Sequence, residues 1–169
     1  AGWIRAAAGD ALLSAGMRQL YTDHGEARQN FRRAAAIYKD LLLKLVDQGD
    51  VGSDLYDRVR YGSAQALEGL SFVPSKSEAT DQGSARKSHD KNIKEAQRIY
   101  RDLAENSKSS GVKRMAEYRL RILSPIAGKA WEDGDALPGP DDWASWLAQQ
   151  ELPDEPQPIV PSPHGGLPP

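Results

Sequence analysis

The feature that most constrains this chain is a helical stripe that occurs twice. In FRRAAAIYKDLLLKL, residues Phe31, Ala34, Ala35, Tyr38, Leu41, Leu42 and Leu45 fall at i, i+3, i+4, i+7, i+10, i+11 and i+14. That spacing puts them on one face of an α-helix and turns Arg32, Arg33, Lys39 and Asp40 away from it. Downstream, IKEAQRIYRDL carries Ile93, Ala96, Ile99, Tyr100 and Leu103, which match Phe31, Ala34, Ile37, Tyr38 and Leu41 at a constant separation of 62 residues. The polar neighbours agree in kind, Lys39 and Asp40 against Arg101 and Asp102. One such helix cannot bury its apolar face alone, so a repeated one points to a scaffold of stacked helical pairs.

Composition fits that reading. Hydrophobic residues make up 39% of the 169 and aromatic residues only 7%, and the Ala-rich segments favour helices packed through small side chains over a sheet sandwich. A net charge of −2 supplies no basic field for nucleic acid. The cationic pairs Arg32 with Arg33 and Lys113 with Arg114 alternate with acids and apolar residues, as solvated helix faces do. With no cysteine there is no disulfide framework and no thiolate ligand or nucleophile. No apolar run approaches the roughly 18 residues that span a bilayer. The opening AGWIRAAAGD has neither a methionine nor a signal-peptide pattern; it reads as a processed or excised piece, with room for an anchor ahead of residue 1.

Taken in order, the chain predicts five helices. The first covers residues 1–22 on Trp3, Ile4, Ala7, Ala8, Ala11, Leu12, Ala15 and Leu20. Gly9 and Gly16 interrupt it, and because a helical glycine costs about 1 kcal/mol against alanine they imply close approach of a neighbouring helix. A turn at 22–27 follows, with Asp23 or Thr22 as cap and Gly25 free to take a positive φ. The second helix runs from about 27 to 47. After the loop at 48–54, Ser53 or Asp54 caps a third helix, 54–72, whose expected stripe is Leu55, Val59, Ser63, Ala66 and Leu70 beside Gly62 and Gly69. A polar connection at 74–84 leads to a fourth helix, about 85–106, bearing the second copy of the stripe. A fifth, 112–123, is expected to stop before Pro125.

Beyond residue 123 the composition changes. Residues 124–169 hold ten of the eleven prolines, and their one periodic piece is DDWASWLAQQ at 141–150. It predicts a short helix with Trp143 and Trp146 on one face, inside a Pro-rich extension. The expected organisation is therefore a helical domain at 1–123 and an extension at 124–169.

The spacing of Ala34, Tyr38 and Leu41, and again of Ala96, Tyr100 and Leu103, resembles the second helix of a tetratricopeptide (TPR) repeat. The helices after each copy, SDLYDRVRYGSAQALEGL and SSGVKRMAEYRLRIL, resemble the opening of the next repeat in bacterial envelope TPR proteins. The helix ending, proline and Trp-containing segment are similar to the close of some planctomycete TPR proteins. The resemblance covers about residues 10–123. It departs from the family in its 62-residue offset, its longer loops and the missing Trp-Leu-Gly signature, and an irregular helical bundle stays open as the alternative. What it implies is an all-α fold of antiparallel hairpins in a right-handed stack, working in the bacterial envelope or cytoplasm.

Chemistry is sparse. His24, His89 and His164 have no metal-ligand spacing and read as solvated. GDVGSD at 49–54 lacks the lysine of a phosphate loop, and no Gly-x-Ser-x-Gly elbow occurs. Acid pairs such as Glu132 with Asp133 or Asp141 with Asp142 sit in loop sequence, where nothing apolar shifts a pKa. No enzyme activity, metal or cofactor is expected. The expectation is a protein–protein interaction scaffold whose concave face, lined by the first helix of each pair, takes a peptide or helix through Arg18, Tyr21, Arg58, Tyr61 and Gln65. Trp143 and Trp146 are the expected anchors of the extension. The competing expectation is a structural subunit docked through that extension.

Overall fold

The computed structural model describes residues 2–75 and 81–128. The chain divides into two units, residues 1–137 and 138–169, and all the described residues belong to the first. Among them the fold is all-helical: α1 (Gly2–Gln19), α2 (His24–Asp47), α3 (Asp54–Phe72), α4 (Gln82–Asn106) and α5 (Ser110–Gly128). Each helix packs on the next, and α3 also touches both α1 and α5. The odd-numbered helices therefore lie side by side, with α2 seated against α1 and α3, and α4 against α3 and α5.

The caps show why the helices begin where they do. Asp23 closes the first turn by accepting from the Glu26 amide at 2.9 Å, and Ser53 does the same for the Tyr56 amide at 3.1 Å. Asp81 accepts from the Gly83 amide at 3.1 Å ahead of α4. Gly25 does not make the expected positive-φ turn; it lies in the first turn of α2. The left-handed residues are Gly49 (φ 75°) and Gly52 (φ 79°), which reverse the chain between α2 and α3. Pro125 does not stop α5, which continues to Gly128. Proline removes the bond to the carbonyl four residues back, and here that loss falls in the terminal turns, where the helix loses little.

The α2 stripe is buried as expected, with Phe31, Ala34 and Tyr38 wholly enclosed. Their seats explain the glycines. A Cβ on Gly9 would lie 2.7 Å from the Tyr38 ring, and one on Gly62 would lie 2.5 Å from it. Gly16 and Gly69 hold the Phe31 ring in the same way, at 2.7 and 2.6 Å. Two rings seven residues apart on α2 thus sit between glycines seven residues apart on α1 and α3.

This packing corrects the expected face of α1. Its buried side is Ala6, Gly9, Leu13 and Gly16, while Trp3, Ile4, Ala7, Ala8 and Ala11 are exposed. The rings come from α2, so the side of α1 that they touch must be the least bulky one. The face of α3 is corrected too. Val59 and Ala66 are buried as expected, but Leu55, Ser63 and Leu70 are only partly so. A second buried side, Asp57, Ala64, Glu68 and Ser71, turns toward α4 and α5.

Those buried polar groups are paired. Ser107 Oγ donates to Asp57 Oδ2 at 2.6 Å, tying the α4–α5 turn to the start of α3. Asn30 Nδ2 donates to Gln19 Oε1 at 2.6 Å across the α1–α2 turn. Arg28 of α2 donates to the Val73 carbonyl at the end of α3. His89, expected to be solvated, is buried, with its Nδ1 3.1 Å from the Ser71 carbonyl oxygen and its ring edge-on to Phe72.

Candidate partner-binding groove

A groove of about 550 Å³ runs between the odd-numbered helices. From α1 come Asp10, Leu13, Ser14 and Met17; from α3 come Arg58, Tyr61, Gly62 and Gln65; α5 adds Met115. Its size lies in the range of clefts that hold a ligand or part of a peptide chain. Both methionines are exposed, flexible and apolar, a pairing suited to side chains of varied shape.

One part of the groove is held in place by a three-residue set. Tyr38 Oη donates to Asp10 Oδ1 at 2.7 Å, and Arg58 Nη2 donates to Asp10 Oδ2 at 2.6 Å. Burial first, and then the hydrogen bond to Asp10, pushes the Tyr38 phenol well above the ordinary tyrosine range, so it stays protonated and donating. The carboxylate is thereby committed on both oxygens, which fixes the Arg58 head at the groove wall.

The same set recurs one repeat later. Tyr100 Oη donates to Glu68 Oε2 at 3.2 Å, and Arg119 Nε reaches that oxygen at 3.2 Å while its Nη2 pairs with Oε1. Burial raises the Tyr100 pKa as well, with a smaller contribution from Tyr61. The Tyr61 ring lies 5.4 Å from that of Tyr100, centroid to centroid, and burial raises its pKa too. In both cases the acid comes from the helix before, the tyrosine from the middle helix and the arginine from the helix after. The separations are 58, 62 and 61 residues.

The structure brings three expected residues, Arg58, Tyr61 and Gln65, into one groove. Arg18 and Tyr21 are exposed at and beyond the end of α1 and do not line it. Trp143 and Trp146 lie outside the described residues. Sequence reasoning missed Asp10, Ser14, Met17 and Met115. Asp10 could have been found by asking which acids and arginines accompany each repeated tyrosine.

A second hollow, about 510 Å³, lies along α2 at Gly25, Arg28, Gln29, Arg32, Arg33 and Ala36. The residues that line it come from one helix, so it lacks the convergent walls of the groove. Among the described residues no three His, Asp or Glu side chains converge as a metal site, and no helix is long and apolar enough to cross a membrane. No protein-family model matches the chain, and no similar curated protein or solved structure was found.

Proposed function

We propose that the helical unit is a non-catalytic interaction scaffold, a TPR-like right-handed stack of hairpins that takes a peptide or helix in the groove between α1, α3 and α5. The observation that carries this reading is the groove lining itself. Apolar Leu13, Met17 and Met115 face it together with the hydrogen-bonding Ser14, Tyr61 and Gln65 and the fixed cation of Arg58. Lateral contact of the odd-numbered helices, with the even ones behind them, is the arrangement that leaves such a groove open in stacked helical pairs. A pocket with apolar walls and a few placed polar groups recognises side chains by shape and orients a backbone by hydrogen bonds.

The test is selection of binding peptides from a random library against the full chain, followed by calorimetry on variants. Gln65→Arg and Met17→Asp should each weaken the selected peptides about tenfold or more, the scale of one lost apolar anchor. Arg33→Glu, on the solvent side of α2, should leave them unchanged. Equal binding to all three variants would remove the groove from consideration.

A further inference from the structure

Helix α1 turns a second face outward. Trp3 is 56% and Ile4 77% exposed, and Ala7, Ala8 and Ala11 are exposed with them. The repeated tyrosine–carboxylate–arginine set fixes how α1 and α3 correspond, because Asp10 takes the place of Glu68, 58 residues on. The same register lays Ala6 on Ala64 and Leu13 on Ser71, and all four are buried. It lays Ile4, Ala8, Ala11 and Ala15 on Gly62, Ala66, Gly69 and Val73. Those positions of α3 form the side that α2 covers, with the Tyr38 ring on Gly62 and the Phe31 ring on Gly69. The matching side of α1 carries no helix among the described residues, and it bears the most exposed large apolar residue described there, Ile4.

We propose that this face of α1 is a docking site for an amphipathic helix of another chain, lying antiparallel to α1 and continuing the α2–α3 interface by one step. The chemistry of the occupant follows from the register. The residue that plays the part of Phe31 falls over Ala11, where a methyl leaves room for a ring. The residue seven positions on falls over Ile4, where α3 has Gly62. Isoleucine already fills that seat, so the partner must be small there. The occupant is thus a helix with a large apolar or aromatic side chain followed, seven residues later, by alanine or glycine. Such pairing of bulk with its absence is how helices reach close packing. This face is independent of the groove, which opens on another side of α1.

The test uses the full chain and a labelled peptide of residues 24–47 carrying Tyr38→Ala, held helical by a staple across the solvent-side positions 32 and 36. Fluorescence anisotropy should show saturable binding. Ala11→Arg in the protein should weaken it about tenfold or more, and Phe31→Ala in the peptide should do the same. Ala36→Arg in the protein, on the outer side of α2, should have no effect. Absence of saturable binding overturns the proposal. So does binding that Ala11→Arg leaves unchanged, since the peptide would then be exchanging with α2 or sitting elsewhere.

Discussion

The two halves of this unit solve one packing problem by different means. Around α2, the Phe31 and Tyr38 rings sit in glycine seats on both sides, and the Asp10–Arg58 pair stands at the edge with side chains 33% and 48% exposed. Around α4, the equivalent ring of Tyr100 meets the Tyr61 ring, and the equivalent acid is buried. There the side chains of Glu68 and Arg119 are 7% and 21% exposed. Arg119 has its pKa lowered by desolvation, the mark of a cation drawn out of water. The same three-residue set is therefore a solvated brace in one half and a buried strut in the other. Sequence position alone does not set the worth of an ion pair; the water left around it does.

The sharpest way to break this comparison is to remove the acid from each half. Glu68→Ala strands a buried guanidinium and should cost about 3–5 kcal/mol in urea melts. Asp10→Ala, at the solvated pair, should cost only about 1 kcal/mol. Equal losses would mean the two sets are equally exposed in solution. Next come the seats. Gly62→Ala forces a methyl against the Tyr38 ring and should destabilise by about 1–3 kcal/mol, and Tyr38→Leu in the same chain should recover part of it. An unchanged melting temperature for Gly62→Ala would show that α2 and α3 lie further apart than described.

Alkaline pH separates the halves less strongly. A phenol whose pKa is raised by folding binds its proton more tightly in the folded state. Its contribution is complete below the unfolded value near 10 and is lost as pH climbs above that. Tyr38 and Tyr100 should each lower stability by about 1.4 kcal/mol per pH unit above 10. Tyr38→Phe and Tyr100→Phe, measured by denaturation across that range, should each remove one such share. The smallest effect belongs to the caps, where Ser53→Ala should cost about 1 kcal/mol by freeing the Tyr56 amide.

What could be read from the sequence was whatever the chain states as bulk. Phe31, Tyr38, Leu41 and Leu45 announce the buried side of α2 because large apolar residues recur there and charges recur opposite. The repeat in α4 is readable for the same reason. Helix α1 was not, since its buried side is mostly alanine and glycine and its exposed side is richer in apolar atoms. A hydropathy pattern scores what a helix brings and cannot score the room it leaves for a ring from elsewhere. The second side of α3 was hidden differently: Asp57, Glu68 and Ser71 look like surface residues until Ser107, Tyr100 and Arg119 are placed beside them. His89 belongs with these. For the groove, Arg58, Tyr61 and Gln65 followed from expecting the first helices to line it. Asp10 and Met115 depended on how those helices align, which periodicity within one helix does not encode.

The glycine seats also bear on how this sequence can drift. A ring held between two glycines couples three positions on three helices, so enlarging any one requires a compensating loss at another. Gly62 cannot gain a side chain while Tyr38 keeps its ring, and Tyr38 cannot shrink without opening a void that Gly9 and Gly62 then invite larger residues to fill. Descendants of such a chain would exchange these residues in concert. The trace that survives longest would be G-x6-G, aromatic-x6-aromatic and G-x6-G on successive helices, even after the surrounding leucines and alanines have been replaced.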